Sequence, residues 1–317
     1  HRDLHSFPTR RSSDLDAGAK AFGWKEKWNG WLKPTAVNGP KRIGVGVGVH
    51  GNADIGEDTA EAYVQLAYTG TATIFLCVAE FGTGQKSNYI KMAAEVLKIP
   101  PERIEMVPAD TLVTPYEFGP VGSRGTYAIG SAVINAAEDA KKKLLEMAAP
   151  KLGADPKDLD TADGVIFVKE NPNRNIKWRF LGNDRTLLGY GRFESDFTMC
   201  NCLMSFVELE ADIETGKMKL LRVVNATDIG QIIDPLGLEG QLNACWGSAG
   251  IDSAIFEETI FDRRTGHTVN ANLIDYKWRT FAELPDVQNV VLETPFPSHR
   301  FHAVGIAEIA TDRKSVV

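Results

Sequence analysis

Hydrophobic residues recur at two spacings along the chain, one typical of strands and the other of helices. An unbroken apolar run at residues 74–78 predicts a buried strand. Beyond a loop at residues 80–85, apolar positions return every three to four residues on one face, which predicts an amphipathic helix. These positions are Ile90, Ala93, Ala94 and Leu97. The sequence therefore predicts a strand, a glycine-bearing loop and a helix in direct succession.

The same succession recurs further along the chain. A short predicted strand at residues 104–106 leads to a loop rich in proline and glycine, and a helix then runs to about Leu152. Unpaired amides and the helix dipole make the start of such a helix suited to an anion or a polar oxygen. The candidate ligand-binding residues are Gly82, Thr83, Gly84 and Gln85 in the first loop, and Gly122, Ser123, Arg124, Gly125 and Thr126 in the second.

Two interpretations of this pair of loops remain open. One is an extended polyanionic cofactor held by backbone amides, with Arg124 adding a cation where an anion would lie. The other is two ordinary capped helices, each with a glycine at a turn that needs one. These residues alone favour the second interpretation.

Period-two patterns predict strands elsewhere. Apolar residues alternate through residues 207–220, which predicts a long hairpin around a turn at residues 212–216. A turn of the same form at residues 262–266 predicts a second hairpin with the same turn design. Residues 43–50 alternate glycine with valine, which indicates a strand with one bare face.

The segments between these elements complete the predicted fold. Residues 153–190 suggest a loose connector with one short strand at residues 164–168 and a turn at residues 171–173. A helix bearing Gln241 follows Pro235. Because helices and strands mix without strict alternation, the predicted class is α+β, with mixed, mostly antiparallel sheets and packed helices.

Composition narrows the classes of function. The chain has 317 residues, of which 43% are hydrophobic and 24% charged, and this predicts a soluble globular protein with an ample core. A net charge of −7 argues against nucleic acid as a partner. No apolar run approaches the length of a membrane span. The four cysteines include no CxxC pair, so no zinc ribbon or iron–sulfur cluster is predicted, and Cys200 and Cys202 are interpreted as buried thiols.

The two ends differ from the rest of the chain. The first fifteen residues lack helical or strand periodicity, and they are similar to adapter sequence translated at the edges of metagenomic fragments. The last residues, from Arg313, are similar to adapter sequence translated at the other edge of such fragments. We therefore expect the chain to be a fragment of a longer protein. The predicted organisation is a disordered non-native tail (1–15), a connector helix and linker (16–41), two subdomains (42–185 and 186–311) and a second non-native tail (312–317).

Six segments, in this order, resemble the large, molybdenum-binding subunit of the xanthine dehydrogenase/aldehyde oxidase family. They span roughly residues 17 to 311. The segments are FGWKEKW, EFGTGQKSNYIKMAAEVLKIPPERI, GSRGTYAIGSAVINAAE, VELEADIETGK, NATDIGQIIDP with the nearby Gln241, and LETPFPSHRFHAVGIAEIA. Any one of them is a weak pattern, but six in family order are strong.

The resemblance implies a cofactor and a catalytic residue. It implies molybdopterin, in bacteria usually the cytosine dinucleotide form, bound by the two glycine loops and by Gln241. The molybdenum would be held by the dithiolene of the pterin rather than directly by side chains. Gly305-Ile306-Ala307-Glu308 stands at the family's Gly-x-Gly-Glu position. Glu308 would therefore be the catalytic base in hydroxylation of an aldehyde or N-heteroaromatic compound with oxygen from water.

The resemblance also implies partners. Electrons would leave through iron–sulfur clusters, and often FAD, on other domains or subunits. The expected partners are an iron–sulfur subunit, a flavin subunit, the missing N-terminal half of the molybdenum subunit and a small-molecule substrate. The expected location is the cytoplasm.

The chain also departs from the family pattern. Thr83 stands where several members carry glutamine, Ala307 replaces a glycine, and the glycine-rich and arginine-bearing loops of the family's earlier half do not occur. We therefore expect a C-terminal portion of a molybdenum subunit, inactive by itself. Two alternatives remain open: reductive dehydroxylation of a hydroxyaryl thioester on the same scaffold, and a binding module without catalytic activity.

Overall fold

The computed structural model describes residues 7–53, 58–181, 186–195, 200–244 and 251–306. In this part of the chain there are six α-helices: α1 (Phe7–Phe22), α2 (Trp24–Lys27), α3 (Gln85–Leu97), α4 (Gly130–Leu152), α5 (Pro235–Ala244) and α6 (Ile251–Ile255). The strands are β1 (Ala36–Asn38), β2 (Lys41–Ala53), β3 (Asp58–Leu66), β4 (Ala72–Phe75), β5 (Ile104–Met106), β6 (Leu159–Ala162), β7 (Val165–Val168), β8 (Asn171–Lys177), β9 (Leu187–Ser195), β10 (Cys200–Asp212), β11 (Met218–Asp228) and β12 (Asp286–Leu292).

These strands form three sheets, in the orders β1-β2-β10-β11-β12, β5-β4-β3-β9 and β6-β7-β8. Among the described pairs, β11 with β12 and β4 with β5 are parallel, and the others are antiparallel. The predicted α+β class with mixed, mostly antiparallel sheets is therefore confirmed.

The five-stranded sheet contains the predicted hairpin, formed by β10 and β11. Its turn is held by the side chain of Asp212, whose Oδ1 accepts hydrogen bonds from the amides of Glu214 (2.9 Å) and Thr215 (3.1 Å). Asp262 does the same in the second turn, where the amides of Arg264 and Thr265 donate to its Oδ1 at 2.8 and 3.1 Å. The two turns therefore share one design.

The four-stranded sheet packs against α3 and α4 and forms the main core. Small residues bring the sheet close to α4: a β-carbon on Gly191 would lie 2.1 Å from the carbonyl oxygen of Ala132. One on Gly189 would lie 2.2 Å from the carbonyl oxygen of Ala136. Strand β9 therefore lies directly on the helix backbone, an approach that only glycine allows. This packing holds the N-terminal end of α4 in place.

Two local predictions are wrong. Residues 153–190 are not a loose connector, because β6, β7 and β8 form a three-stranded antiparallel sheet, and residues 171–173 begin a strand instead of a turn. Part of the predicted disordered tail at residues 1–15 is helical, since α1 begins at Phe7. A β-carbon on Gly18 would lie 2.3 Å from the Phe206 ring, so α1 lies very close to the sheet. Packing against other parts of the chain stabilises these elements, although the local sequence shows no periodicity that predicts them.

The predicted subdomain boundary at residue 185 does not separate the sheets. Strand β2 precedes that boundary and pairs with β10 beyond it, while β9 lies beyond it and pairs with β3. The two predicted units therefore exchange strands. Residues 312–317 lie outside the described residues. Of the two predicted buried thiols, Cys202 is 3% exposed and donates to Asp14 Oδ2 at 3.0 Å.

Candidate functional site

The first glycine loop is organised around the carboxylate of Glu80. Its Oε1 accepts hydrogen bonds from the amides of Gly82 (2.9 Å) and Gly84 (3.1 Å), and its Oε2 accepts from the amide of Lys86 (3.1 Å). Gly82 and Gly84 have φ values of 101° and 73°, which favour glycine. Gly84 is the N-cap of α3 and has no side chain to offer, so Glu80 takes that role.

The electrostatics agree with an ionised Glu80. Partial burial raises the pKa of this carboxyl, but hydrogen bonds from the amides of Lys86, Gly82, Gly84 and Thr83 outweigh burial, and the net pKa lies below the usual value. The loop amides thus hold an internal anion.

Gln85 links the first loop to the second. It is 7% exposed, and its Nε2 donates to the carbonyl oxygen of Ala79 at 3.1 Å while its Oε1 accepts from Tyr89 Oη at 3.2 Å. A β-carbon on Gly125 would lie 3.2 Å from Gln85 Oε1 and 3.4 Å from Tyr89 Oη. These two polar side chains therefore lie directly against Gly125.

The side chain of Arg124 does not serve as predicted. It is fully buried and donates to Asp58 Oδ1 at 2.7 Å, to Glu117 Oε1, and to the carbonyl oxygens of Thr59 and Gly119. The prediction that its cation faces a ligand anion is wrong, because the guanidinium already pairs with two buried carboxyl groups inside the core. Burial raises the pKa of Glu117 despite the adjacent guanidinium. Arg124 instead ties the second loop to the start of β3.

The second loop enters α4 through irregular backbone. Ser123 has φ 62°, and residues Gly125–Ile129 form a π-turn before the regular helix begins. π-turns within helices occur frequently at functional sites. Gly122, with φ 71°, precedes Ser123 in the same turn.

The C-terminal segment packs against this loop. A β-carbon on Gly305 would lie 1.8 Å from the carbonyl oxygen of Ser123. The segment is also bonded to the end of β11, where the Gln231 amide donates to His302 O (3.0 Å) and the Val304 amide donates to Ile229 O (3.0 Å). The chain is therefore held from both sides up to Gly305. Ala307 and Glu308 lie outside the described residues.

His299 supports the same segment from within. It is 1% exposed, and its Nδ1 accepts from the amides of Phe301 (3.2 Å) and Ala303 (3.3 Å). Burial, and then the charge of His302, lower the pKa of His299 to about 4, although a hydrogen bond with the Thr126 backbone opposes them. Its imidazole is therefore neutral at physiological pH.

Four parts of the chain meet at one cavity of about 350 Å³. Its walls come from the first loop, the start of the second helix, residues 229–241 and residues 303–306. Of the predicted ligand-binding residues, seven line this cavity: Gly82, Thr83, Gln85, Ser123, Gly125, Thr126 and Gln241. Gly84, Gly122 and Arg124 do not line it. The structure therefore brings most of the predicted residues together.

The cavity wall is neutral and hydrogen-bonding in character. No lysine or arginine is among its described lining residues, and its acidic residue, Asp234, pairs with Lys91 at 2.8 Å. Thr83 Oγ1 is buried and has no hydrogen-bond partner among the described residues. A β-carbon on Gly82 would meet no atom within 4 Å, so this part of the wall is open to a ligand. The site suits a ligand rich in hydrogen-bonding groups.

Sequence reasoning missed four of the contributing residues: Glu80, Asn88, Gln231 and Asp234. Only Glu80 offered a local signal, because a carboxylate two and four positions before loop amides can accept from them. The other three reach the cavity through chain folding.

Among the described residues, no group of three or more His, Cys, Asp or Glu side chains is placed to hold a metal ion. No helix in the described ranges has the length and apolar character needed to cross a bilayer.

Comparison with known proteins identifies relatives. The chain is 28% identical over 308 residues to the xanthine dehydrogenase molybdenum-binding subunit of Escherichia coli O157:H7, covering 93% of this chain and 40% of the relative. It is also 28% identical over 287 residues to 6-hydroxypseudooxynicotine dehydrogenase complex subunit gamma of Paenarthrobacter nicotinovorans, covering 85% and 35%. The chain thus spans well under half the length of these relatives.

The fold agrees with solved structures. Quinoline 2-oxidoreductase from Pseudomonas putida 86 superposes with a TM-score of 0.82 at 23% identity, covering 98% of this chain and 42% of that protein. Residues 17–285 match the family described as molybdopterin cofactor-binding domain. The chain therefore belongs to the molybdopterin cofactor-binding domain family, and it is similar to part of the molybdenum-binding subunit of the Escherichia coli relative.

Proposed function

We propose that this chain forms part of one wall of a molybdopterin site in an oxidoreductase that hydroxylates an aldehyde or N-heteroaromatic C–H bond. The observation that supports this most is the convergence of both glycine loops, Gln241 and the segment ending at Gly305 on one cavity. Glu308, three residues beyond Gly305, is proposed as the catalytic base. Molybdopterin, when bound, supplies the two-electron redox chemistry of the reaction.

The residues of this chain would bind and orient that cofactor. Thr83 offers a hydroxyl without a protein partner among the described residues, and Gln241 offers a carboxamide whose Nε2 lies 3.5 Å from the carbonyl oxygen of Gly82. The glycines at 82 and 125 allow close approach to the backbone. Such neutral groups recognise ring nitrogens, amides and hydroxyls by hydrogen bonds.

The finer features of the function are proposals as well. The cofactor is proposed to be the cytosine dinucleotide form. Partner subunits are proposed to carry iron–sulfur clusters and FAD, and the complete protein is proposed to be cytoplasmic. The relative named as a subunit of a dehydrogenase complex supports an assembly of several subunits.

Substitution of the proposed base tests the function. In the full-length subunit, purified with its partners, Glu308→Gln should keep the molybdenum content and lower the turnover rate about a hundred- to ten-thousand-fold, because the amide cannot accept a proton. Glu170→Gln, at an exposed turn, is the matched control and should leave the rate unchanged. If Glu308→Gln turned over within a few-fold of the parent protein, the assignment of the base would be wrong.

A further inference from the structure

We propose that Glu80 is a positioning residue for the cofactor cavity: its carboxylate holds the amides of the first loop and thereby presents Thr83 to the ligand. This inference rests on the proposed function for the identity of the ligand. The contact between Glu80 and the loop does not depend on the proposed function.

The geometry around Glu80 is that of an anion site occupied by a side chain of the protein itself. Three amides, from Gly82, Gly84 and Lys86, donate to one carboxylate at 2.9 to 3.1 Å. The positive φ values of both glycines turn these amides toward the same point. Hydrogen bonds from amides to an ionised carboxylate are about twice as strong as neutral ones. The positive end of the α3 dipole adds to the attraction.

The hydrogen bonds between Glu80 and the loop amides change what the loop can bind. Because its amides already donate to Glu80, a phosphate placed on them would lose those donors and would meet a like charge. The loop therefore excludes an anion at this point and leaves Thr83 to meet a neutral hydrogen-bonding part of the ligand. Thr83 Oγ1 has the position for it, since it is buried and unpartnered among the described residues while Thr83 lines the cavity.

The loop has few other restraints on its conformation. Gln241 Nε2 lies 3.5 Å from the carbonyl oxygen of Gly82, which is at the limit of a hydrogen bond. Phe81 is exposed, so burial of its side chain does not anchor the loop. The Glu80 carboxylate is therefore the principal internal restraint that the structure shows for residues 81–83, whereas the carbonyl oxygen of Gly84 also accepts from the amides of Ser87 and Asn88.

Amide hydrogen exchange on the full-length subunit tests the contact. In the parent, protection of the segment 81–87 should be constant above about pH 4.5 and should fall at lower pH, because the pKa of Glu80 is lowered in the folded state. In Glu80→Gln, protection at pH 7 should fall about tenfold and lose this pH dependence. Glu102→Gln, an exposed control, should behave as the parent. The pH dependence of protection is measured on the parent protein alone. It therefore tests the contact between Glu80 and the loop even if Glu80→Gln does not fold.

Cofactor content tests the positioning role. Glu80→Gln should retain several-fold less molybdopterin than the parent, whereas Glu102→Gln should retain as much. Unchanged protection in Glu80→Gln would overturn the contact. Lost protection with full cofactor content would overturn the positioning role and leave Glu80 as a helix cap only. A parent subunit without molybdopterin would overturn the proposed function, and the exchange comparison would still decide on the contact.

Discussion

The carbonyl oxygen of Ser123 lies 1.8 Å from the position that a β-carbon would take on Gly305. Ser123 itself has φ 62°, an unusual conformation for a residue other than glycine. The irregular start of the second helix and the C-terminal segment are therefore in backbone contact. This contact sets where the chain lies three residues before Glu308.

Gly305→Ala should destabilise the protein, because the new methyl group would overlap a backbone atom that cannot move aside alone. We expect a loss of about 1–3 kcal/mol in the free energy of unfolding, measured by urea denaturation of the full-length subunit. Gly44→Ala is the control, since a β-carbon there would meet no atom within 4 Å. Equal stability of the two variants would contradict the close contact.

Arg124→Met should be among the most damaging single substitutions in this part of the subunit. It leaves Asp58 and Glu117 buried without their cation, which typically costs about 3–5 kcal/mol. The matched control is Arg192→Met, because Arg192 pairs with Glu61 and Glu194 while 51% exposed, and exposed pairs contribute about 0–1 kcal/mol. Urea denaturation measures both. A small loss for Arg124→Met would show that the cluster is not buried as described.

The pH dependence of stability should reveal the protonation of the buried His299 imidazole. Its pKa is lowered from 6.5 to about 4 in the folded state, so the unfolded chain binds the proton first. This contribution to stability is complete above about pH 6.5 and is lost as the pH falls toward 4, by on the order of 3 kcal/mol. His299→Gln should flatten this part of the profile relative to the parent, whereas His267→Gln, at an exposed position just after the second turn, should not. Parallel profiles for parent and His299→Gln would refute this account.

Gly125→Ala should affect ligand binding more than folding. The added methyl group would press on Gln85 Oε1 and Tyr89 Oη, both of which can give way by small side-chain movements. Molybdenum content should therefore fall more than the melting temperature. Gly240→Ala is the control, because a β-carbon there meets nothing within 4 Å and alanine favours the helix by about 0.5–1 kcal/mol. Equal proportional losses for Gly125→Ala would favour a purely structural glycine.

Gly84→Val should destabilise the first loop. Gly84 has φ 73°, a conformation that valine rarely adopts, so the substitution should lower stability together with cofactor content. A melting temperature unchanged from the parent would show that the loop adjusts its backbone without cost. Thermal denaturation of the full-length subunit measures the difference.

Local features could be predicted from the sequence because they depend on neighbouring residues. The helix at Gln85–Leu97 follows from its apolar spacing, and the hairpin follows from alternation. The two Asp-x-x-Thr-Gly turns close through bonds within five residues of one another. The six family segments predicted the cofactor-binding fold through their order along the chain, because each one is a short stretch that can be identified without knowledge of its distant contacts.

Tertiary structure decided what depends on distant partners. Arg124 carries a cation in a candidate anion-binding loop, yet Asp58, sixty-six residues away, and the nearby Glu117 take its charge inside the core. The pairing of β2 with β10 and of β9 with β3 likewise joins strands that lie far apart in the sequence. Local spacing predicts which residues can donate or accept, but burial and long-range pairing decide which of them remain available to a ligand.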